Sequence, residues 1–244
     1  MSPIVKILGS KGKLSNLLNK RFSKNKNLNL NQKVKDKISN IKVATFSSTL
    51  KDDCYENFIK EINYYEKLLK NLDSEKEFLI YISSQTVELT NNTFYSKAKF
   101  EVEKLIRSNL KNYTIIRPGM IFNKEDSKFL LNSMNNASRS FFTFFDDHPQ
   151  ITICDISDIY NLIVDISHKT SFYASKTINL GIKRFKFIEL QNFSFKRKIR
   201  IPILNNKVLK LLSIFNIRLK AYCNGQAISG VPDIAWKSYF DYKS

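Results

Sequence analysis

The sequence has few of the residues that build histidine-centred or cysteine-centred sites. It holds two histidines and three cysteines in 244 residues. Cys54, Cys154 and Cys223 lack the short spacings of a metal site, and their odd number argues against a disulfide framework. With only His148 and His168 available, we expect neither a histidine-centred metal site nor a Ser-His-Asp triad. The composition is typical of a reduced, cytoplasmic protein.

Long hydrophobic runs and acidic residues are also scarce. No apolar run approaches the roughly 20 residues of a membrane span, and the first apolar stretch is too short for a secretory signal. The 22 acidic residues against 40 Lys and Arg give a formal net charge of +18. The basic clusters at 19–27 and 195–200 accompany no nucleic-acid motif. We therefore expect solvated basic surfaces and no specific nucleic-acid partner, with attraction of anionic ligands as the alternative.

Apolar runs alternate with helical periodicity from residue 4 to at least residue 122. The pattern predicts strands at 4–8, 41–48, 77–84, 113–122 and 176–181, and a strand followed by a helix over 150–166. Helices are predicted at 14–22, 31–40, 52–72, 95–109 and 201–217. Asp52 or Asp53 is expected to cap the third, and Asp155 or Asp158 the helix after 150. Alternation of this kind predicts an α/β fold: a parallel sheet with helices on both faces.

A glycine turn follows the first strand and opens the first helix. Gly9 and Gly12 match the first two glycines of a G-x-x-G-x-x-G pattern, and Ser15 stands at the third. At such a turn, backbone amides and the positive helix end can hold a pyrophosphate, although an ordinary loop is the alternative. The predicted cofactor-binding residues of the turn are Gly9, Ser10, Lys11, Gly12, Lys13 and Leu14.

The residues after the turn bear on which dinucleotide would bind. The acidic residue that takes the ribose hydroxyls of NAD, about 20 positions on, is missing. Its region carries Lys20, Arg21, Lys24 and Lys26, which suit the extra phosphate of NADP but could equally be surface residues. We predict NAD or NADP, with a slight preference for NADP. The stretch before the strand at 41–48 is short, so one strand–helix unit is trimmed or absent.

A tyrosine and a lysine four residues apart, Tyr95 and Lys99, open a predicted helix shortly after Ser84 ends a strand. The spacing alone means little, because Tyr239 and Lys243 repeat it at the C-terminus. A free tyrosine has a pKa of about 10 and is a poor base near neutrality, but an ammonium one helical turn away favours the phenolate. Such a tyrosine could exchange a proton with a substrate hydroxyl.

The order of these features resembles the short-chain dehydrogenase/reductase superfamily, in its extended or atypical epimerase/dehydratase-like branch. The residues that carry the resemblance are Ser83, Ser84, Tyr95, Lys99, Glu103 and the strand end Ile115-Ile116-Arg117-Pro118-Gly119. The resemblance implies a Rossmann-type doubly wound fold over roughly residues 3–182. It also implies that Ser84, Tyr95 and Lys99 are catalytic, with Ser83 as the alternative serine.

The same resemblance implies further roles. Lys99 would also hold the nicotinamide ribose, and Ser84 would orient the substrate oxygen. Pro118 and Ile121 would lie near the nicotinamide, although strand termination explains these residues equally well. Asp158 is interpreted as a helix cap rather than a catalyst.

We therefore predict an NAD(P)-binding Rossmann-type domain at residues 1–165, with a small C-terminal substrate-binding portion at 166–244 in the same structural unit. The expected function is an NAD(P)-dependent epimerase or reductase acting on a nucleotide-linked sugar, with a homodimer considered as its assembly and polysaccharide synthesis as its pathway. Gln85 and Thr86 after the serines disfavour dehydration. The alternative is a non-catalytic NAD(P)-binding regulatory or assembly protein of the same fold.

Overall fold

The computed structural model describes residues 4–9, 12–24, 38–47, 53–88, 93–123, 150–181, 184–186 and 214. The predicted helix at 201–217, the basic cluster at 195–200 and the second tyrosine–lysine pair at 239 and 243 fall almost entirely outside these residues. Most of the predicted helix at 31–40 does so as well.

The described residues form strands and helices in close agreement with the predicted alternation. The strands are β1 (Ile4–Leu8), β2 (Asn40–Ala44), β3 (Glu77–Ile82), β4 (Tyr113–Pro118), β5 (Met120–Phe122), β6 (Gln150–Asp155), β7 (Lys176–Leu180) and β8 (Arg184–Lys186). The helices are α1 (Lys13–Lys24), α2 (Tyr55–Lys70), α3 (Phe94–Asn109), α4 (Ile156–His168) and α5 (Thr170–Tyr173), with a 3-10 turn at Gln85–Glu88.

Five of the strands form one parallel sheet in the order β1-β2-β3-β4-β7. A second, three-stranded sheet has the order β5-β6-β8, with β5 and β6 parallel and β8 antiparallel. Since parallel strands end at the same edge, the segments that follow β1, β3, β4 and β7 lie together at the carboxyl edge of the large sheet.

Successive residues of the buried strands point into two different cores. One core, between the sheet and helices α1 and α4, contains Ile41, Val43, Ile80 and Leu18. The other core lies beneath α2 and α3 and includes Tyr65. Helices therefore cover both faces of the sheet, which confirms the predicted α/β Rossmann-type architecture.

The strand order has an unusual consequence for the first helix. Every connection in the large sheet steps in the same direction, from β1 toward β7. Right-handed crossovers that step the same way place their helices on the same face. Helices α2 and α3 share a face, whereas α1 lies on the opposite one, as does α4 in the connection from β4 to β7. The unit β1–α1–β2 therefore differs in hand from the two units that follow it.

The single strand predicted at 113–122 is divided at Gly119, and packing explains why. A Cβ atom at Gly119 would lie 2.3 Å from the Thr152 carbonyl oxygen, and one at Gly181 would lie 2.0 Å from Thr152 Cγ2. The Gly119 N–H donates to the Leu180 carbonyl at 2.9 Å. Only glycine lets the small sheet approach the large one this closely, so the chain changes sheets at this residue.

The helix starts match the sequence in one case and differ in another. Asp155 is the N-cap of α4, and Asp158 forms a capping box with it, which confirms the cap predicted at these residues. Helix α2 instead has Cys54 as its N-cap without a side-chain cap, so the prediction that Asp52 or Asp53 caps it is wrong. The Asp53 carboxylate accepts a hydrogen bond from the Tyr95 N–H at 2.7 Å and thus stabilises the start of α3.

The predicted domain boundary at residue 165 falls within α4, and the large sheet continues through β7. Assignment of residues 166–244 to a substrate-binding portion stays a prediction.

Candidate functional site at the carboxyl edge of the sheet

The two glycines of the predicted phosphate-binding turn lie between β1 and α1. Gly9 has a φ of +88°, which residues with a side chain rarely adopt. The Gly12 N–H donates to the Gly9 carbonyl at 3.1 Å, and α1 begins at Lys13. A Cβ atom at Gly9 would lie 3.0 Å from the Thr45 hydroxyl oxygen. The turn is therefore tight and opens directly onto a helix N-terminus.

Ser15 explains how the turn closes without its third glycine. The side chain is fully buried, and its hydroxyl is hydrogen-bonded to the Gly9 carbonyl and lies 2.8 Å from the Gly12 carbonyl. Within the turn, the predicted residues Ser10 and Lys11 lie outside the described part of the chain. The hydroxyl of Ser15 thus holds the turn against α1 where a third glycine would only leave room.

Tyr95 lies at the start of α3, at the same edge of the sheet as the glycine turn. Its side chain is partly exposed. Two hydrogen bonds fix this helix start: Asp53 accepts from the Tyr95 N–H, and the N-cap Thr93 accepts from the Ser96 N–H at 3.1 Å. Sequence reasoning missed the contribution of Asp53, because only the folded chain brings the start of α2 next to that of α3.

Lys99 lies one turn further into α3 and is buried. Its ammonium nitrogen is 5.9 Å from the centre of the Tyr95 ring and 3.2 Å from Glu61 Oε1, and the Lys99 and Glu61 side chains are 1% and 0% exposed. It also donates to the Ile82 carbonyl at 3.4 Å. Glu61, on α2, is a charged neighbour of the predicted site that the sequence did not indicate. Contact between Lys99 and a nicotinamide ribose stays a prediction.

Two further tyrosines surround this ion pair. The Lys99 nitrogen is 4.9 Å from the centre of the Tyr81 ring, which in turn meets the Tyr65 ring edge to face at 5.0 Å. Burial, followed by the nearby charges, raises the pKa of both phenols well above 10, so they stay neutral. The Tyr65 hydroxyl donates to the Phe46 carbonyl at 2.8 Å. The ammonium therefore lies within about 6 Å of the centres of two tyrosine rings, Tyr81 and Tyr95, and next to one carboxylate.

The two serines after β3 have different surroundings. The buried Ser83 hydroxyl donates to Glu103 Oε1 at 2.7 Å. The Ser84 oxygen accepts from the Thr86 N–H at 3.2 Å and from the Thr86 hydroxyl at 3.0 Å, and its side chain is partly exposed. Ser84 can therefore offer its hydroxyl hydrogen to a ligand, whereas the hydroxyl of Ser83 is used within the protein.

Glu103 and Arg117, which helped define the resemblance, form a buried ion pair. Arg117 donates through Nε to Glu103 Oε1 at 2.9 Å and through Nη2 to Oε2 at 2.7 Å. Arg107 adds a third contact to the same carboxylate at 2.8 Å. Two-point contacts of this kind fix orientation, so these residues hold α3 and β4 in place beneath the site.

The last predicted site residues, Pro118 and Ile121, flank Gly119 where the chain passes between sheets. Pro118 is buried at the end of β4 beside Leu180, and Ile121 is partly buried against the core shared with α1 and α4. Both lie at the carboxyl edge, where ligands bind in open α/β sheets.

These residues fit one end of a nicotinamide dinucleotide better than the other. The glycine turn and the start of α1 suit a phosphate group, and Ser84 and Tyr95 lie at the same edge. In a complete dinucleotide fold the adenosine binds beside strands beyond β1. Among the described residues, β1 pairs only with β2. The part of the chain that the structure describes also contains no group of acidic, histidine or cysteine side chains able to hold a metal, and no helix long and apolar enough to cross a membrane.

Solved structures share this fold, whereas no protein-family model and no curated protein matches the sequence. A dTDP-glucose 4,6-dehydratase from Bacillus anthracis in complex with NAD has a TM-score of 0.59 at 11% identity, covering 83% of this chain and 85% of that one. A UDP-glucose 4-epimerase from Thermotoga maritima with UDP-glucose has a TM-score of 0.55 at 12% identity, covering 82% and 86%. A human epimerase family protein with NADPH has a TM-score of 0.61 at 11% identity, covering 90% and 88%.

Identities this low establish the fold alone. The chain is a Rossmann-type α/β protein, structurally similar to the epimerases and dehydratase named above. The predicted Rossmann-type α/β fold is thereby confirmed.

Proposed function

We propose that the protein is an NAD(P)-dependent epimerase or reductase that acts on a nucleotide-linked sugar through Ser84, Tyr95 and Lys99. The observation that carries this proposal is the position of the Lys99 ammonium beneath the Tyr95 ring. Tyr95 is partly exposed at the sheet edge that also bears the glycine turn. A phenol so placed can reach a ligand while a fixed positive charge stays behind it.

Each side chain has a distinct part in the proposed reaction. The nicotinamide would supply or accept the hydride. Tyr95 would move a proton to or from the substrate oxygen, and the hydroxyl of Ser84 would orient that oxygen. Lys99 would stabilise negative charge on the phenol oxygen. Asp53 acts as a positioning residue, because its carboxylate holds the backbone of Tyr95.

The substrate class rests on the structural neighbours and on charge. One neighbour was crystallised with UDP-glucose and another is named for a dTDP-linked sugar. A net charge of +18 suits a diphosphate-bearing ligand. Gln85 and Thr86 follow Ser84, and neither is a carboxylic acid; the Thr86 hydroxyl donates a hydrogen bond to Ser84. This arrangement favours epimerisation or reduction over dehydration.

A non-catalytic NAD(P)-binding regulator or assembly subunit is the second candidate. It is favoured by the Glu61 carboxylate, which lies 3.2 Å from the Lys99 ammonium and opposes its effect on Tyr95. The short connection from α1 to β2 favours the same candidate.

Fluorescence titration with NADH and NADPH, followed by turnover on a panel of nucleotide sugars, tests the proposal. We expect binding by the wild type, and turnover that falls at least about a hundredfold in Tyr95→Phe because the acid–base group is lost. Tyr55→Phe is the matched control, since Tyr55 is an exposed tyrosine on α2, and it should retain turnover. Binding without turnover on the whole panel, unchanged in Tyr95→Phe, would favour the second candidate. Absence of binding would remove both.

A further inference from the structure

The connection between α1 and β2 is too short to complete a dinucleotide site. A complete fold has the strand order 3-2-1-4-5-6, so that two strands lie beyond β1 and the ligand crosses the point where the order reverses. Only residues 25–39 separate α1 from β2 here. A strand–helix–strand unit takes about 30 residues or more. The chain therefore cannot place that whole unit between them.

The position of α1 supports the same conclusion. This helix lies on the face opposite α2 and α3, although its connection steps in the same direction as theirs. A right-handed crossover from β1 to a strand on the side of β1 away from β2 would place its helix on this same face. Helix α1 thus lies where it does in a complete dinucleotide fold, although the next strand of the described sheet is β2.

The residues expected to contact the phosphate and the nicotinamide of the cofactor are present. Gly9 and Gly12 form a tight turn before α1, with the hydroxyl of Ser15 holding it closed. Ser84 and Tyr95 lie at the same carboxyl edge. The strands that the described sheet lacks are those on the side of β1 where an adenosine would bind.

We propose that this site recognises the nicotinamide–ribose–phosphate end of its cofactor, and that the adenosine end contributes little to binding. The inference rests on the proposed function, because it concerns the same ligand. It predicts that reduced nicotinamide mononucleotide binds nearly as well as NADH, and that the extra phosphate of NADPH adds little. This differs from the slight preference for NADP predicted from the basic residues after α1.

The test is a fluorescence titration of the full-length protein with reduced nicotinamide mononucleotide, NADH and NADPH. Salt of about 0.3 M suppresses the general attraction of a basic protein for anions. We expect the three dissociation constants to agree within about threefold. We also expect AMP and 2′-phospho-AMP, at concentrations well above those constants, to leave NADH bound.

Gly12→Asp provides an internal check on the phosphate turn. Among the described residues, a Cβ atom there would meet the Ser15 hydroxyl, at 3.3 Å, and the Gly9 carbonyl, at 3.6 Å, so these neighbours can accept it with a small adjustment. A carboxylate at the helix start repels phosphate. Gly12→Asp should therefore weaken the binding of the mononucleotide and of NADH by the same factor, of about tenfold or more.

Two results would overturn the inference while leaving the proposed function intact: NADH binding about thirtyfold or more tighter than the mononucleotide, or displacement of NADH by AMP. Failure of all three reduced nicotinamides to bind would overturn the proposed function and the inference together.

Discussion

Removing the charge of Lys99 should destabilise the protein far more than an exposed lysine substitution would. Its ammonium lies 3.2 Å from Glu61 Oε1, with the two side chains 1% and 0% exposed. Unit charges at this separation attract by about 5 kcal/mol at an effective dielectric constant of about 20. Breaking a buried pair from one side costs about 3–5 kcal/mol, since the remaining charge is left without a partner. We expect Lys99→Met to lower the free energy of unfolding by that amount.

The double variant Glu61→Leu/Lys99→Met separates charge imbalance from lost packing. With both charges gone, no uncompensated ion remains, and such replacements are often neutral or stabilising by about 1–4 kcal/mol. The double variant should therefore be more stable than either single variant. Glu101→Gln is the matched control, because the Glu101–Lys104 pair on the same helix has the same 3.2 Å separation but is 43% and 55% exposed. Its loss should cost no more than about 0.5 kcal/mol.

Urea unfolding followed by circular dichroism gives the free energies of unfolding of the wild type, the two single variants, the double variant and the control. The reasoning would be refuted if Lys99→Met cost no more than Glu101→Gln, or if the double variant were as unstable as the sum of its singles. The result also governs how binding experiments are read. Loss of nicotinamide binding in a Lys99 single variant would reflect unfolding as readily as a lost contact, so the double variant is the proper comparison.

Three other outcomes are expected. Gly9→Ala should cost about 1–3 kcal/mol because a φ of +88° strains any side chain, whereas Gly12→Ala should cost less than about 1 kcal/mol; equal losses in urea unfolding would contradict the assigned turn. Burial raises the pKa of Tyr81 above its unfolded value of about 10, so the stability that depends on its neutral form is present below pH 10 and is lost as pH rises further; Tyr81→Phe should flatten the decline in stability at alkaline pH. Burial likewise raises the pKa of the Cys154 thiol, so in a variant whose third cysteine is serine, a thiol reagent should modify Cys54 in the native state and Cys154 only on unfolding.

Strand and helix order could be predicted because each element carries its own pattern. The apolar stretches at β1, β3 and β7 and the periodicity of α2 need no tertiary information, and the structure reproduces them. The break at Gly119 could not be found this way. It depends on the approach of Thr152, a residue more than 30 positions away, to within 2.3 Å of where a Cβ would stand.

The candidate site was predictable in its residue types but not in its electrostatics. The spacing of Tyr95 and Lys99 places them on one helix face, and the structure sets the Lys99 ammonium under the Tyr95 ring. Glu61 is one of several charged residues in the amphipathic pattern of α2, and nothing local distinguishes it from a solvated glutamate, although it is buried. Asp53 looked like a cap for the helix that follows it, yet its carboxylate serves the Tyr95 backbone on α3. Glu61 lies on α2 and Asp53 just before it, and strand β3 separates both from α3 in the sequence.

The one-way strand order also bears on how this protein folds. From β1 to β4, each strand pairs with the strand that comes next in the chain, so no early strand has to wait for a distant one to complete its hydrogen bonds. A sheet of this kind can grow by successive addition as the chain leaves the ribosome. Strand β1, which is central in complete dinucleotide folds, lies at the edge of the sheet that the described residues form, where its detachment would leave the other four strands paired.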